Sequence, residues 1–337
     1  MPPKVSIIVP FYNAEATVSS FFERLRAMSL NDWEAVCVND GSTDATRTLL
    51  DEEAARDSRI IVFHQSNTGP GQARNFAMDH AQGDFLAFCD ADDYFLPEVL
   101  QKALQTAVSH QSDTVFLRIL HIWPNGRTRC HHLPDNPWHF PEVHDADRRF
   151  FLTHIASGPY SHFLRRSFQQ KNKIYFYNGR CGEDQLLHWK SCLLTQCADL
   201  LPEPAYVYNR RTFSDDSEHY RHYTTEIIDV WDEIAVFLRD TGLMAAWCLD
   251  HSGAKLADYF INARRTPPDA RAVFYKKMTE HMTPADWELL ANHSSRLSRR
   301  ARSYFLSRFG SFRQKLIHTP LAALDELRLR IRLASKR

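Results

Sequence analysis

The chain has 337 residues, 44% of them hydrophobic, with 41 basic and 41 acidic side chains. That length and apolar content supply the core of one large or two modest domains, and a formal net charge of zero excludes the global basic footprint of a nucleic-acid binder. The charge is uneven, because residues 296–337 hold twelve Lys/Arg against two acids, a local +10 that leaves −10 over residues 1–295; such an asymmetry points to a partner of the tail.

In chain order, the continuous apolar run at residues 5–9 predicts a buried strand stopped by Pro10, and Val18, Phe21, Phe22 and Leu25 follow at helical spacing. Residues 33–38 predict a second strand, and Ser42, Thr43 or Asp44 caps a helix reaching about Arg56. Residues 59–64 give a third strand, and a helix through Phe76, Ala77 and Ala81 follows it. The fourth strand, from Phe85 to Cys89, ends in three carboxylates, Asp90, Asp92 and Asp93. Four strands alternating with three helices predict a parallel sheet built by right-handed crossovers.

Beyond Pro97 the pattern gives a helix to about His110 and a strand over residues 113–123, turned at Asn125-Gly126. Residues 131–141 read as a loop and 161–168 as a strand, and residues 182–194 form a helix with two acids in its first turn. Residues 205–211 read as a short strand before a polar loop. From about Tyr220 the strand signals cease and long helical patterns take over. The expected organisation is an α/β domain at 1–218 with a mostly parallel sheet flanked by helices, a helical subdomain at 219–295, and a basic amphipathic helical tail at 296–337. The tail interleaves Leu297, Ala301, Phe305, Phe309, Phe312 and Leu316 with arginines, as does a helix lying on an anionic membrane surface. A helix docked on the acidic remainder, or a partner-binding tail, is the alternative.

Seven cysteines, an odd set without C-x-x-C, predict a reducing cytoplasmic compartment. The first thirteen residues lack the pattern of a signal peptide. No run approaches the ~20 apolar residues of a membrane-spanning helix. Any membrane contact is therefore expected to be peripheral, on the inner face.

The carboxylate cluster organises the functional reading. Like charges this close repel unless a cation sits among them, and in open α/β sheets ligands bind beyond the carboxyl ends of the strands. A divalent metal holding a phosphate-bearing ligand satisfies both conditions, whereas an Asp-rich turn is the plain alternative. Asp40, at the end of the second strand, is placed to accept a ring N–H from a uracil or guanine base, although helix capping also uses such residues. Pro10, Phe11 and Tyr12 end the first strand and flank the same base. The segment NTGPGQARN (67–75) lacks the third glycine of a dinucleotide fingerprint and follows the wrong strand. Gly69 and Gly71 there allow close backbone approach, and Arg74 supplies a cation for a phosphate or for the Asp cluster. Glu183-Asp184 is a second acid pair, either helix-capping or catalytic. His188, in QLLHW, belongs to the core of its helix, while His131-His132 and His219/His222 are ligands only by residue type.

Taken together and in order, VSIIVPFYNAE, VCVNDGSTDAT, NTGPGQARN, FCDADDYFLP, GED and the Y-x-Y-x-x-R segment resemble the non-processive bacterial members of the inverting family 2 glycosyltransferases of the GT-A fold, over about residues 4–215. The resemblance implies a nucleotide-sugar donor, usually UDP-linked, and Mn2+ or Mg2+ at the diphosphate. It also implies a saccharide or lipid-linked saccharide acceptor, in the synthesis of cell-surface polysaccharide or lipid-linked glycan. By similarity Pro10, Tyr12 and Asp40 hold the base, Asp90 the ribose side and the metal, Asp92 the metal, and Arg211 and Ser214 the diphosphate. Asp184 is then the general base, positioned by Glu183. Transfer to a polyprenyl phosphate, whose acceptor needs no base, and a nucleotide-binding scaffold without turnover are the competing readings.

Overall fold

The computed structural model describes residues 3–130, 138–209, 222–267 and 269–286, and the chain divides into two compact units, Met1–Thr212 and Phe213–Arg337. In the first unit β1 (Val5–Phe11), α1 (Val18–Arg26), β2 (Trp33–Asp40), α2 (Thr46–Arg56), β3 (Ile60–Gln65), α3 (Pro70–His80) and β4 (Phe85–Phe88) alternate as the apolar pattern predicts. Then come β5 (Tyr94–Phe95), α4 (Val99–Ser109), β6 (Thr114–Ile122), β7 (Thr128–Cys130), β8 (Trp138–Phe140) and α5 (Asp145–His154). A 3-10 turn at Pro159–Ser161 leads into β9 (His162–Arg165), α6 (Arg166–Lys171), α7 (Asp184–Leu194) and β10 (Ala198–Asn209).

The strands form one mixed sheet in the order β3-β2-β1-β4-β9-β6-β10-β5, with β7 beside β6 and β8 beside β10. Both faces are covered, which is why the inner strands read as unbroken apolar runs instead of alternating ones. Successive side chains enter different cores. Val5, Ile7, Val9 and Phe11 pack with α1 residues Phe21, Phe22 and Leu25, whereas Ile8 joins Val36, Val38, Phe88 and α3 residues Ala73 and Ala77.

Direction within this sheet fixes where a ligand can bind. β1 is parallel to β2 and β4, and β2 to β3; β9 is antiparallel to both β4 and β6, and β6 is parallel to β10. The carboxyl ends of β1, β2, β3, β4, β6 and β10 therefore share one edge. The chain order reverses at β1, whose neighbours β2 and β4 lead away on opposite sides, and this switch point opens a crevice.

Several elements differ from the sequence pattern. β1 continues through Pro10 to Phe11. The carbonyls of Lys4 and Ile8 accept hydrogen bonds from Phe85 and Cys89, so even-numbered positions of β1 face β4, and the β1–β4 pairing stops at Ile8–Phe88. The N–H that Pro10 lacks would have had no ladder partner there. Phe11 is fully buried against Phe21 and Phe22, which removes it from any base-stacking role. β10 begins at Ala198, seven residues before its expected start. It passes Pro202 and Pro204 through register shifts against β6, which bulges permit. Residues 138–140 of the expected loop form β8, α5 occupies residues assigned to no element, and the expected strand at 161–168 is β9 followed by α6.

The described residues of the second unit form α8 (Glu226–Asp240), α9 (Met244–Arg265) and α10 (Arg271–Glu280). Ile227, Trp231, Ile234 and Leu238 bury the apolar stripe of α8, and within this unit Lys255 and Asp286 form a buried ion pair. Among the described residues no helix is long and apolar enough to cross a membrane, and no disulfide joins the cysteines.

Two core histidines link stability to pH. His162 is buried against Phe116 and His188, and burial lowers its pKa to about 4. In the other unit His251, hydrogen-bonded to the Trp231 carbonyl, is likewise held at about 4, by burial and then by Lys255. An unfolded histidine titrates near ~6.5, so each contributes stability that is complete above that pH and is lost as pH falls toward the folded value. From about pH 6.5 to about pH 5 each should cost about 2 kcal/mol. Denaturant titrations should show this decline, and the double variant His162→Gln/His251→Gln should flatten it. An unchanged slope in that variant would contradict the assignment.

Candidate active site

The loops after β1 and β2 are locked to each other on the ligand edge. Asn13, at φ 47°, accepts the Thr43 N–H through its side-chain oxygen while its own N–H donates to the Ser42 hydroxyl. The Ala14 N–H donates to Thr46 Oγ1, the Glu15 N–H to Asp44, and the Ala45 N–H to the Glu15 carboxylate. Tyr12 emerges from this knot 52% exposed, beside the half-buried Pro10. Asp40 is 3% exposed. Its Oδ1 accepts the Thr68 N–H and the Gln65 amide, both at 2.8 Å, and its Oδ2 accepts the Gly69 N–H at 2.8 Å. Asp40 thus fastens the β3–α3 loop to the end of β2, a task the sequence did not disclose.

That loop in turn receives the segment carrying the second acid pair. A Cβ on Gly71 would lie 2.1 Å from the Tyr177 carbonyl oxygen and 3.0 Å from the Glu183 Cβ, and one on Gly69 (φ +98°) would lie 2.7 Å from Arg180 Cγ. Both positions need glycine because residues 177–183 pack directly on the start of α3. The Asn75 side chain clasps the same segment, donating to the Phe176 carbonyl and accepting the Phe176 N–H. The Tyr177 N–H donates to the Glu183 carbonyl.

Arg74 closes the arrangement. Its guanidinium, 6% exposed, donates to Asp90 at 2.6 Å and to Glu183 at 2.9 Å, and it lies over the Phe176 ring. Burial works against its charge, but the two carboxylates outweigh that and raise its pKa above the usual arginine value. Of the two roles open to Arg74, the structure shows the link to the acids. It draws together two acidic segments more than ninety positions apart in sequence.

The remaining carboxylates have distinct surroundings. Asp93 is 3% exposed and accepts the Tyr206 hydroxyl at 2.9 Å and the Asn209 N–H at 2.7 Å. Burial, then the charges of Asp90 and Asp92, push its pKa up to about 8. The Tyr206 hydroxyl also accepts the Asp90 N–H, and the Asn209 amide donates to the Asp92 carbonyl, so the end of β10 braces the whole Asp turn. Asp184 opens α7. The Tyr160 phenol feels Asp90, Asp184 and Asp93 together, and burial followed by Tyr208 and these charges raises its pKa well above the ordinary phenol range. Tyr160, Tyr206 and Asn209 complete the site without having been given a role from the sequence, where only the Y-x-Y spacing of Tyr206 and Tyr208 hinted at them, and Asp93, expected in the carboxylate cluster, serves as its buried brace.

Asp90 and Asp92 bring two carboxylates into one turn beside the buried Asp93, and like charges this close are the condition a divalent cation relieves. The donor set is all carboxylate oxygen, which suits Mg2+ or Mn2+ held by one or two acids with the rest of the shell left to phosphate and water. Among the described residues the groups with three ligand atoms within 4.8 Å of one another are His162–His188–Cys192 and His110–His139–Asp199, and neither includes these acids. His188 is fully buried, as its place in the helix core predicts. Arg211, Ser214, His131, His132, His219 and the tail at 296–337 lie outside the described residues.

Carboxylates from two segments thus rim the carboxyl edge of a mixed sheet, which is where open α/β folds bind their ligands. The glycosyl transferase family 2 model matches residues 6–170, and that segment is a glycosyl transferase family 2 domain. It is 26% identical to EpsH of Bacillus subtilis over 71% of this chain and 70% of EpsH. It is 29% identical to the poly(ribitol-phosphate) beta-N-acetylglucosaminyltransferase TarS of Staphylococcus aureus over 61% of this chain, which is 35% of TarS. The crystal structure of S. aureus TarS 1–349 in complex with UDP-GlcNAc shares the fold with a TM-score of 0.54, covering 91% of this chain and 92% of that one at 23% identity.

The twin ion pair yields a test. Arg74→Met leaves Asp90 and Glu183 without their cation in a largely buried setting, which should cost about 3 kcal/mol. Arg74→Lys, a point charge that cannot fork between two acids, should recover less than half of that loss. Denaturant unfolding of the three proteins measures it, and a Met variant as stable as the parent would contradict the bridging role.

Proposed function

We propose that the chain is an inverting, metal-dependent glycosyltransferase that moves a sugar from a UDP-linked donor to a hydroxyl of a saccharide or lipid-linked saccharide in cell-surface glycan synthesis. The observation that carries this reading is the convergence of Asp90 and Glu183 on one buried arginine, which brings the start of α7 to the carboxyl end of β4. TarS, whose name specifies a poly(ribitol-phosphate) acceptor and whose fold accommodates UDP-GlcNAc, supports the donor class. The domain partition of the sequence reading, with its peripheral tail at 296–337 on the cytoplasmic face, is kept as part of this proposal.

Each residue then has a chemical task. Tyr12 and Pro10 flank the base. Asp40 and Gly69 shape the base pocket, because the carboxylate tethers the loop that walls it. Asp90 meets the ribose side, with Arg74 fixing its free rotation. Asp92 and Asp90 would hold Mn2+ or Mg2+, which when bound supplies Lewis-acid stabilisation of the departing diphosphate. Arg211 and Ser214, outside the described residues, are assigned to that diphosphate by the family resemblance alone. Asp184, on the side away from the leaving group, draws the proton from the acceptor hydroxyl as the bond to the anomeric carbon forms. Glu183 is held by Arg74 and so fixes the backbone from which Asp184 projects. One base and one displacement invert the anomeric centre.

General-base assistance contributes on the order of 10² to 10⁴ in rate, so Asp184→Asn should lower UDP release from UDP-sugars by about that factor and keep UDP affinity within about twofold. Asp92→Ala should remove the metal dependence of the same reaction. Full turnover in Asp184→Asn would favour an acceptor that is already anionic, such as polyprenyl phosphate. Absence of UDP-sugar binding and turnover in the parent protein would favour a scaffold.

A further inference from the structure

An aromatic path leaves the acid cluster along the ends of β10 and β6. It starts at Tyr206, whose hydroxyl is held by Asp93 and whose ring stacks on Tyr160 at 4.6 Å and 10°. Tyr160 contacts Tyr208 at 5.4 Å, Tyr208 contacts His121 at 5.4 Å, and His121 contacts Trp123 at 6.0 Å. Gly158 makes room for the bend, because a Cβ there would lie 2.3 Å from the Tyr160 ring. Tyr208 and Trp123 are half-buried, whereas His121 is buried beneath them. The surface left is a run of rings that begins beside the proposed base and ends on the β6–β7 hairpin.

The hairpin adds charge on the same side. Directly opposed residues of an antiparallel pair point to one face. Arg129 is opposite His121, and the Trp123 N–H donates to the Arg127 carbonyl. The Arg127 guanidinium lies 5.4 Å from the centre of the Trp123 ring. Both arginines are exposed. His121, Trp123, Arg127 and Arg129 therefore share the face that continues from Tyr208.

We infer that this path is the acceptor subsite, and that it takes a saccharide chain bearing anionic groups, phosphate or carboxylate. The C–H face of a sugar ring packs on the electron-rich face of an aromatic ring, and guanidinium forks match phosphate or carboxylate oxygens. Sugar units would lie along Trp123, Tyr208 and Tyr160, with the terminal hydroxyl delivered to Asp184. Trp123 and the arginine pair are positioning residues for the acceptor. The inference rests on the transferase reading above.

Calorimetric binding to the purified full chain separates the two. The probes are a phosphate-bearing oligohexose, an oligogalacturonate and a neutral maltohexaose of similar length. At least one anionic oligomer should bind at least tenfold more tightly than the neutral one, and which of them does so distinguishes phosphate from carboxylate. Trp123→Ala should weaken that binding about tenfold, with Trp123→Phe restoring most of it. Arg127→Gln/Arg129→Gln should lower affinity and reduce its salt dependence. The subsite is overturned if neither anionic oligomer binds, if the neutral chain binds as tightly, or if Trp123→Ala and the double arginine variant bind like the parent. UDP release from UDP-sugars by the parent protein, measured in parallel, tests the transferase reading on its own.

Discussion

One buried guanidinium holds the catalytic half of this protein together. Arg74 sits on α3, which packs under β1 and β2, and its two forks reach Asp90 at the end of β4 and Glu183 at the start of α7. Without a cation between them these carboxylates would repel at low exposure, and the loop at residues 177–183 would lose its tie to the sheet. With it, two segments remote in sequence share one crevice. The glycines at 69 and 71 serve the same end by admitting that loop against the helix.

The Asp turn illustrates how the fold divides labour among like residues. Asp93 is spent on structure, gripping Tyr206 and the end of β10, and its raised pKa records burial beside two other acids. Asp90 is committed to Arg74 through Oδ1. A cation entering the turn would meet partly exposed oxygens of Asp90 and Asp92, with Asp93 behind them as a brace. Asp40 shows the same economy at the end of β2: a single carboxylate clamps the β3–α3 loop through donors from Gln65, Thr68 and Gly69.

Much of this was legible in the sequence because burial on both faces leaves continuous apolar runs, and the runs at Val5, Trp33 and Phe85 became inner parallel strands, with that at Ile60 the parallel edge strand β3. Pro10 misled because a missing N–H matters only where a neighbour exists to receive it, and pairing with β4 has already ended there. Pro202 and Pro204 concealed the first half of β10, since bulges that accommodate prolines leave no periodic trace. α5 was missed for want of a conventional capping residue: His144 stands at its start, with its N–H held by Asp147. Among site residues, the carboxylates announced themselves by clustering and charge. Tyr160 and Asn209 did not, because their roles come from sheet register and the Gly158 turn, which are tertiary properties. Phe11 looked like a base-stacking residue until strand alternation sent it into the core.

The central claim is that acids of the β4 turn form the metal-binding floor of a nucleotide-sugar site whose far wall is the start of α7. Anomalous scattering from a crystal of the protein grown with Mn2+ and UDP tests it most directly. The account predicts a single strong peak coordinated by Asp92, with the UDP base beside Tyr12 and the Arg74 bridge intact. A peak only at the His162–His188–Cys192 or His110–His139–Asp199 clusters, or UDP bound away from the carboxyl edge of the sheet, would contradict it.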